Sequence, residues 1–181
     1  MFEKTLTGFL DEVGAKTSAP GGGAVAAVAV SLAAALAEMA AQFSGKQWDR
    51  AEEAVTRARE LRTRALPLAE ADADAYQAVI ETRGTPAYEE ALSRAADVPL
   101  AIAQAAAEVG ELAAELAARG NPNLRGDAAT SALFAEAAAR AAANLVEINL
   151  AGKNGDERIA RARDLASAAG AAAKRALAPP S

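Results

Sequence analysis

The sequence predicts an all-α protein: a single-domain multihelical bundle over residues 1–181, built around one buried, alanine-rich helix. Three observations lead there. Hydrophobic residues fill 52% of the 181 positions but aromatic residues only 4%, so alanine supplies most of the apolar count. Alanine has the best helix propensity and lets helices approach closely. Apolar residues recur at a period near 3.6 in every segment, and no segment alternates at two. Finally, Ala24 to Met39 carries no charge before Glu38, the pattern of a helix with protein on all sides. The length suffices for one core, and no internal repeat is visible.

Taken in order, Phe2, Leu6, Phe9, Leu10 and Val13 fall at helical spacing and predict an amphipathic helix over about 2–16. Ser18-Ala19-Pro20-Gly21-Gly22-Gly23 leads into the buried helix, about 23–43. Pro20 fixes an extended approach, and three glycines are costly unless no side chain fits. Gly22→Val is therefore expected to do more harm than a change at Gly84, which lies in a turn. Gly45 is a candidate cap, with Lys46 near the negative end of the helix dipole.

Residues 49–82 read as one long helix kinked at Pro67. Glu53 with Arg57 and Glu60 with Arg64 are i,i+4 pairs of a solvated face. Leu61, Ala65, Leu68, Asp72, Tyr76 and Val79 share a stripe, so Asp72 faces the core and Asp74 does not. Thr85, before Pro86, and Asp97, before Val98 and Pro99, are read as caps of a short helix through Tyr88 and Leu92 and of another over about 98–118. Gly120 ends the latter. Asn121 to Gly126 is a polar loop, closed by Asp127 at the start of a helix over about 128–151. That helix is expected to turn Phe134, Ala138, Ala141, Leu145, Ile148 and Asn149 inward, with Glu136 and Arg140 as an outward pair. Asn154-Gly155-Asp156 marks the last turn before a final helix through Leu177, and Pro179 to Ser181 should fray.

Composition narrows the functions. A formal charge of −5 and a pI near 4.9 argue against nucleic acid, which rewards basic patches. Without histidine or cysteine the chain lacks the commonest metal ligand, the usual neutral-pH base and any thiolate, so no metal site is expected. Ala24 to Ala37 falls short of the roughly 20 residues of a membrane span, and the N-terminus has no signal-peptide pattern, so a cytoplasmic protein without membrane contact is expected.

Several residues invite a chemical reading beside a structural one. The glycines are either a packing surface or a backbone wall for a flat or anionic ligand at a helix N-terminus. Asp72, ionisable on an apolar stripe, is either an interhelical partner, with Lys46 or a helix terminus as candidates, or a functional acid. Asp127 reads first as an N-cap. Asn149 either ties helices together or touches a ligand. Pattern leaves these alternatives open.

The segment Ala19-Pro20-Gly21-Gly22-Gly23-Ala24-Val25-Ala26-Ala27 resembles the signature of the cyclodeaminase/cyclohydrolase family. Ser44-Gly45-Lys46, Asp72-Ala73-Asp74-Ala75-Tyr76, Val98-Pro99-Leu100, Gly120-Asn121-Pro122-Asn123 with Asp127, and Ile148-Asn149-Leu150 match in the family's order. Ala24 stands where many relatives have serine and Ala141 where many have glycine. The resemblance implies a homodimeric helical bundle acting on a tetrahydrofolate derivative as substrate, with no permanently bound cofactor. It implies either cyclodeamination of 5-formiminotetrahydrofolate to 5,10-methenyltetrahydrofolate and ammonia, or hydrolysis of the methenyl compound to 10-formyltetrahydrofolate. It places Asp72, Asp127 and Lys46 as catalytic candidates, and Pro20, Gly21, Gly22, Gly23, Asn121, Asn123 and Asn149 as substrate contacts. A non-catalytic folate-binding or assembly module keeps the same fold. Dimerisation also follows from helices apolar on more than one face.

Overall fold

A computed structural model describes residues 5–153 and 155–179; Phe2, Asn154, Pro180 and Ser181 lie outside them. The described residues form α1 (Leu6–Gly14), α2 (Gly22–Gln42), α3 (Ala51–Ala65), α4 (Leu68–Thr82), α5 (Tyr88–Ala95), α6 (Asp97–Arg119), a 3-10 turn (Pro122–Leu124), α7 (Arg125–Asn149) and α8 (Glu157–Leu177), with no strand among them. The kink expected at Pro67 is a break, with Pro67 as the residue before α4.

α2 sits at the centre and packs on α3, α4, α6 and α7, while α6, α7 and α8 pack on one another. Small side chains make this possible. The core is mostly alanine, with Val30, Leu61, Ile102, Val109 and Val146 as its larger members. A Cβ at Gly110 of α6 would lie 3.6 Å from Ala172 Cβ and 3.8 Å from Ala135 Cβ, so three helices meet there at close range. Near the middle of the bundle Ser131 Oγ donates to Ala33 O at 2.7 Å, satisfying a hydroxyl with no exposure.

Two expectations about exposure are corrected. α2 is not enclosed on all sides: Val25 and Leu32 are 42% and 52% exposed. On α7 the inward face is Ala128, Ser131, Ala135, Ala138, Ala142 and Val146, whereas Phe134, Ala141 and Ile148 face out. The reason is volume. Helices this closely packed admit alanine between them, and larger side chains are displaced to the surface. α2 has 21 residues and is long and apolar enough to cross a membrane, so the shorter estimate from sequence is also corrected; in this fold most of it is buried.

Caps and charge pairs differ in detail. α2 ends at Phe43 rather than Gly45, and α7 begins at Arg125, which puts Asp127 inside the first turn with no side-chain cap on that helix. Asp97 is the first residue of α6 and pairs with Arg158 at 2.7 Å instead of capping. Thr85 Oγ1 accepts from Ala87 N at 3.3 Å, but the cap position of α5 is Ala87, with no side-chain cap on that helix. Glu53 pairs with Arg50 instead; Arg57 reaches both Glu60 on its own helix, at 3.6 Å, and Glu108 on α6, and Arg64 reaches Glu108, so the long arginines join α3 to α6. Glu136 and Arg140 pair as expected, at 3.6 Å.

Candidate functional site

The N-terminus of α2 leaves amide N–H groups without helical partners. Its cap position, Gly21, has no side chain to meet them. Asp72, from the middle of α4, does so instead: Ala24 N donates to Asp72 Oδ2 at 3.1 Å. The carboxylate lies directly on Gly23, where an added Cβ would fall 2.0 Å from Asp72 Oδ1. Of the three glycines, Gly23 is thus the one where a side chain would displace the Asp72 carboxylate. Gly22, one step round the helix, would place its Cβ 4.0 Å from Leu145 without a clash, so the steric expectation attached to Gly22 is corrected.

This contact forms one wall of a cavity of about 290 Å³. Ser18, Ala19 and Gly21 to Gly23 line one side; Asp72, Ala75 and Tyr76 of α4, Ala95 of α5, and Leu145, Ile148 and Asn149 of α7 line the rest. Pro20 is half-buried beside it and does not line it. Burial pushes the Asp72 carboxyl above the ordinary aspartate range, and the hydrogen bond from Ala24 only partly opposes this. Asp74 is exposed, as its helix position predicts.

Asn149 closes the cavity from the end of α7. Its Nδ2 donates to Ala95 O at 3.0 Å. A carbonyl oxygen can only accept, so this bond fixes which end of the amide faces α5 and leaves Oδ1 free to accept from a ligand. The cavity therefore offers acceptors at Asp72 and Asn149, and among the described residues no lysine or arginine lines it. Such a wall suits a flat ligand rich in N–H groups or carrying delocalised positive charge.

The other candidates lie elsewhere. Asn121 N donates to Ser44 Oγ at 2.9 Å, and Asn121 Nδ2 donates to Phe43 O at 3.1 Å, beyond the C-terminal end of α2. Lys46 is exposed in the same turn, and Asn123 N donates to Asn121 Oδ1 at 3.0 Å. Asp127 is half-buried in the first turn of the adjoining α7. A 21-residue helix separates this cluster from Gly23 by roughly 30 Å. Lys46 is therefore no partner of Asp72. Within one chain Gly21, Gly22, Gly23, Asp72 and Asn149 come together, and Lys46, Asn121, Asn123 and Asp127 do not join them.

Sequence reasoning missed Ala95, whose contribution is a backbone carbonyl and so leaves no side-chain signal, and it placed Tyr76 on a stripe and in a matched segment without giving it a role. Four positions after Asp72, one helical turn, is the signal that could have found Tyr76. It also missed Ser44, which is 1% exposed and donates to Ala40 O at 2.7 Å while accepting from Asn121. A larger cleft, about 590 Å³, lies between α3 and α6. Its carboxylates Glu53, Glu108, Glu111 and Glu115 are matched by Arg50, Arg57, Arg64 and Arg175, which makes it a solvated ion network.

Residues 5–169 match the family model described as Formiminotransferase-cyclodeaminase. The chain is similar to mouse formimidoyltransferase-cyclodeaminase, 33% identical over 168 residues that cover 83% of this chain and 31% of that protein. It is also similar to the methenyltetrahydrofolate cyclohydrolase of Methylorubrum extorquens, 30% identical over 190 residues that cover 93% of this chain and 91% of that one. The crystal structure of formiminotetrahydrofolate cyclodeaminase from Thermotoga maritima superposes with a TM-score of 0.89 at 27% identity, covering 97% of this chain and 94% of that chain.

Proposed function

Since the chain belongs to the Formiminotransferase-cyclodeaminase family, we propose that it closes the one-carbon bridge of a tetrahydrofolate, converting 5-formiminotetrahydrofolate to 5,10-methenyltetrahydrofolate with release of ammonia. The observation that carries this reading is Asp72: a carboxyl seated on Gly23, held by the Ala24 amide, and shifted upward by burial in a cavity of acceptors.

The chemistry asks for proton transfer at two nitrogens. N10 attacks the formimino carbon, forming a tetrahedral centre between N5 and N10. The N10 proton must leave, and the departing nitrogen must gain that proton and one more, so that ammonia departs and the product is the methenyl cation. An aspartate at its ordinary pKa is a poor acid at neutral pH, and a raised one is better matched to both giving and taking a proton. Asn149 Oδ1 would orient an N–H group of the substrate, and Tyr76 would offer a ring face to the heterocycle. The reaction as written needs no bound cofactor. An acceptor-lined wall also favours the cationic product-like carbon over a neutral one.

A second reading, methenyltetrahydrofolate cyclohydrolase, is favoured by the 30% identity to the Methylorubrum extorquens cyclohydrolase over 93% of this chain. The chain spans 31% of the mouse bifunctional relative but 91% of the bacterial cyclohydrolase. Here water adds to the methenyl carbon and the same tetrahedral centre opens toward 10-formyltetrahydrofolate. One absorbance assay distinguishes the two. Methenyl absorbance rises from the formimino substrate under the first reading and falls from the methenyl substrate, beyond its spontaneous rate, under the second. Tight folate binding with neither change would mark a non-catalytic module.

The protein is expected to work as a homodimer, through the face on which Leu32, Phe134 and Ile148 are exposed.

A further inference from the structure

Asn149 is the last residue of α7, and its side chain reaches the end of α5, where Nδ2 donates to Ala95 O at 3.0 Å. That partner is a main-chain carbonyl, which accepts and cannot donate. Turning the amide over would set Oδ1 against the carbonyl oxygen and leave both without a proton between them, so one orientation is held. Ala95 is buried, and water is a poor substitute for the lost donor there. Among the described residues no donor reaches Asn149 Oδ1, and Asn149 lines the cavity. The cavity thus carries one oxygen that accepts from any ligand and donates to none.

The other polar side chains facing the cavity adapt to what they meet. Asp72 accepts from Ala24 N through Oδ2, and its carboxyl accepts when ionised and donates when protonated. Burial shifts it toward the protonated form. Ser18 and Tyr76 bring hydroxyls, which rotate to give or to accept a proton. Ala75, Leu145 and Ile148 have no polar side-chain atom. A choice between donor and acceptor on the ligand therefore falls on Asn149.

The substrate of the proposed reaction presents that choice at its reacting carbon. A formimino nitrogen has N–H to give and is bonded to the carbon that N10 attacks. Its formyl counterpart has the same shape, but an oxygen with two lone pairs and no proton. Against Asn149 Oδ1 the nitrogen forms a hydrogen bond, whereas the oxygen sets lone pairs against lone pairs.

We propose that Asn149, fixed by the Ala95 carbonyl, is the specificity-determining residue of this site: it selects an amidine-type N–H on the one-carbon group and rejects the carbonyl isostere. The identity of the ligand rests on the cyclodeaminase reading, but the orientation of the amide does not. The selection also serves the chemistry. The nitrogen held at Asn149 is the one that departs as ammonia, and while it gains protons it keeps a donor on the same oxygen. Positive charge building there meets a fixed acceptor.

Competition in an ammonia-release assay tests this, with 5-formyltetrahydrofolate as inhibitor of 5-formiminotetrahydrofolate turnover. Asn149 is half-buried, so the formyl Ki is expected to exceed the formimino KM by about 10²-fold, below the roughly 10⁴–10⁵ of a fully enclosed site. Asn149→Ala should raise the formimino KM by about tenfold or more and change the formyl Ki by less than about threefold. Asn149→Ser, whose hydroxyl turns either way, should bring the ratio below about tenfold. A purely structural Asn149 would weaken both ligands together. Equal loss for the two ligands in Asn149→Ala therefore overturns the proposal, as does a wild type that binds the formyl compound as tightly as the formimino one. Should Asn149→Ala not fold, the wild-type ratio and Asn149→Ser decide. If the wild type releases no ammonia, the reaction reading fails alone, and titration calorimetry reads the same ratio from the two dissociation constants. A formimino preference of about tenfold or more that is lost in Asn149→Ser then sustains the selection, and equal affinities overturn it.

Discussion

Among the described residues Asp72 has no ion-pair partner; it accepts from the Ala24 amide and lies on Gly23. Asp72→Asn keeps that acceptor and removes the charge that burial disfavors. Turnover is expected to fall by roughly 10²–10⁴ with the fold intact, while Asp74→Asn, on the exposed side of α4, behaves like wild type. Steady-state kinetics beside thermal melts separate the two effects. The linkage has a definite sign. Burial raises the folded pKa above the unfolded one, so the folded chain holds a proton that the unfolded chain releases. The stabilising contribution of this group is present at low pH and lost as pH rises from the ordinary aspartate value through the raised one. The Asn variant should lack that loss, gaining on wild type as pH rises through this window; a difference that runs the other way would contradict a buried, raised Asp72. Gly23→Ala makes the complementary point: its Cβ cannot share space with the carboxylate. Activity should drop as far as in Asp72→Asn, whereas Gly84→Val, at φ 82°, should lower Tm and leave the turnover of folded protein unchanged.

At the scale of elements, the site depends on how α5 is held, because Ala95 at its end orients Asn149. Arg158, in the first turn of α8, does much of that holding. Its guanidinium donates to Ser93 O at 2.8 Å, to Ser93 Oγ at 2.9 Å, to Asp97 Oδ1 at 2.7 Å and to Asp156 at 2.8 Å. Asp156, the cap of α8, is held down at about 2 by the Arg158 side chain and its backbone amide. A lysine cannot reproduce this planar fork. Arg158→Lys is expected to lower Tm by roughly 3–6 °C, the scale of one or two lost hydrogen bonds. It should also raise KM more than it lowers kcat, since Asn149 is loosened while Asp72 is untouched. An unchanged KM would show that α5 is positioned without Arg158. The opposite end has its own latch, where a Cβ at Gly120 would fall 2.7 Å from Ser44 Oγ, so that the hydroxyl can reach the Asn121 amide.

For the whole molecule, an alanine core has consequences at the surface. Close-packed small residues bury little area each, and the larger apolar side chains are left on the α2 and α7 face. Leu32→Glu on that face should leave the helical circular dichroism unchanged and convert a dimer at micromolar concentration to a monomer in sedimentation velocity. The reason is that two charges would then face an apolar surface on either side of a two-fold axis. A dimer that survives Leu32→Glu and Phe134→Glu together would locate the contact elsewhere.

The helical class, the order of the helices, and the placement of Asp72 and Asn149 toward protein were legible in the chain, because 3.6-residue periodicity and helix propensity act over a few residues. Helix ends were legible to within a few positions where a proline or glycine stood, as at Pro67 and Gly120. Which glycine admits no side chain, which helix cap is supplied from another helix, and which way an amide points were decided only by tertiary structure, since each depends on an atom distant in the chain. The same holds for the two groups of candidate residues. Their motifs read as one signature along the sequence, but α2 is a rigid rod with its helical rise, and it keeps Gly23 and Lys46 at opposite ends of the bundle. Exposure was hardest to read: Phe134 and Ile148 look like core residues by type, and only the space available between closely packed helices turned them outward.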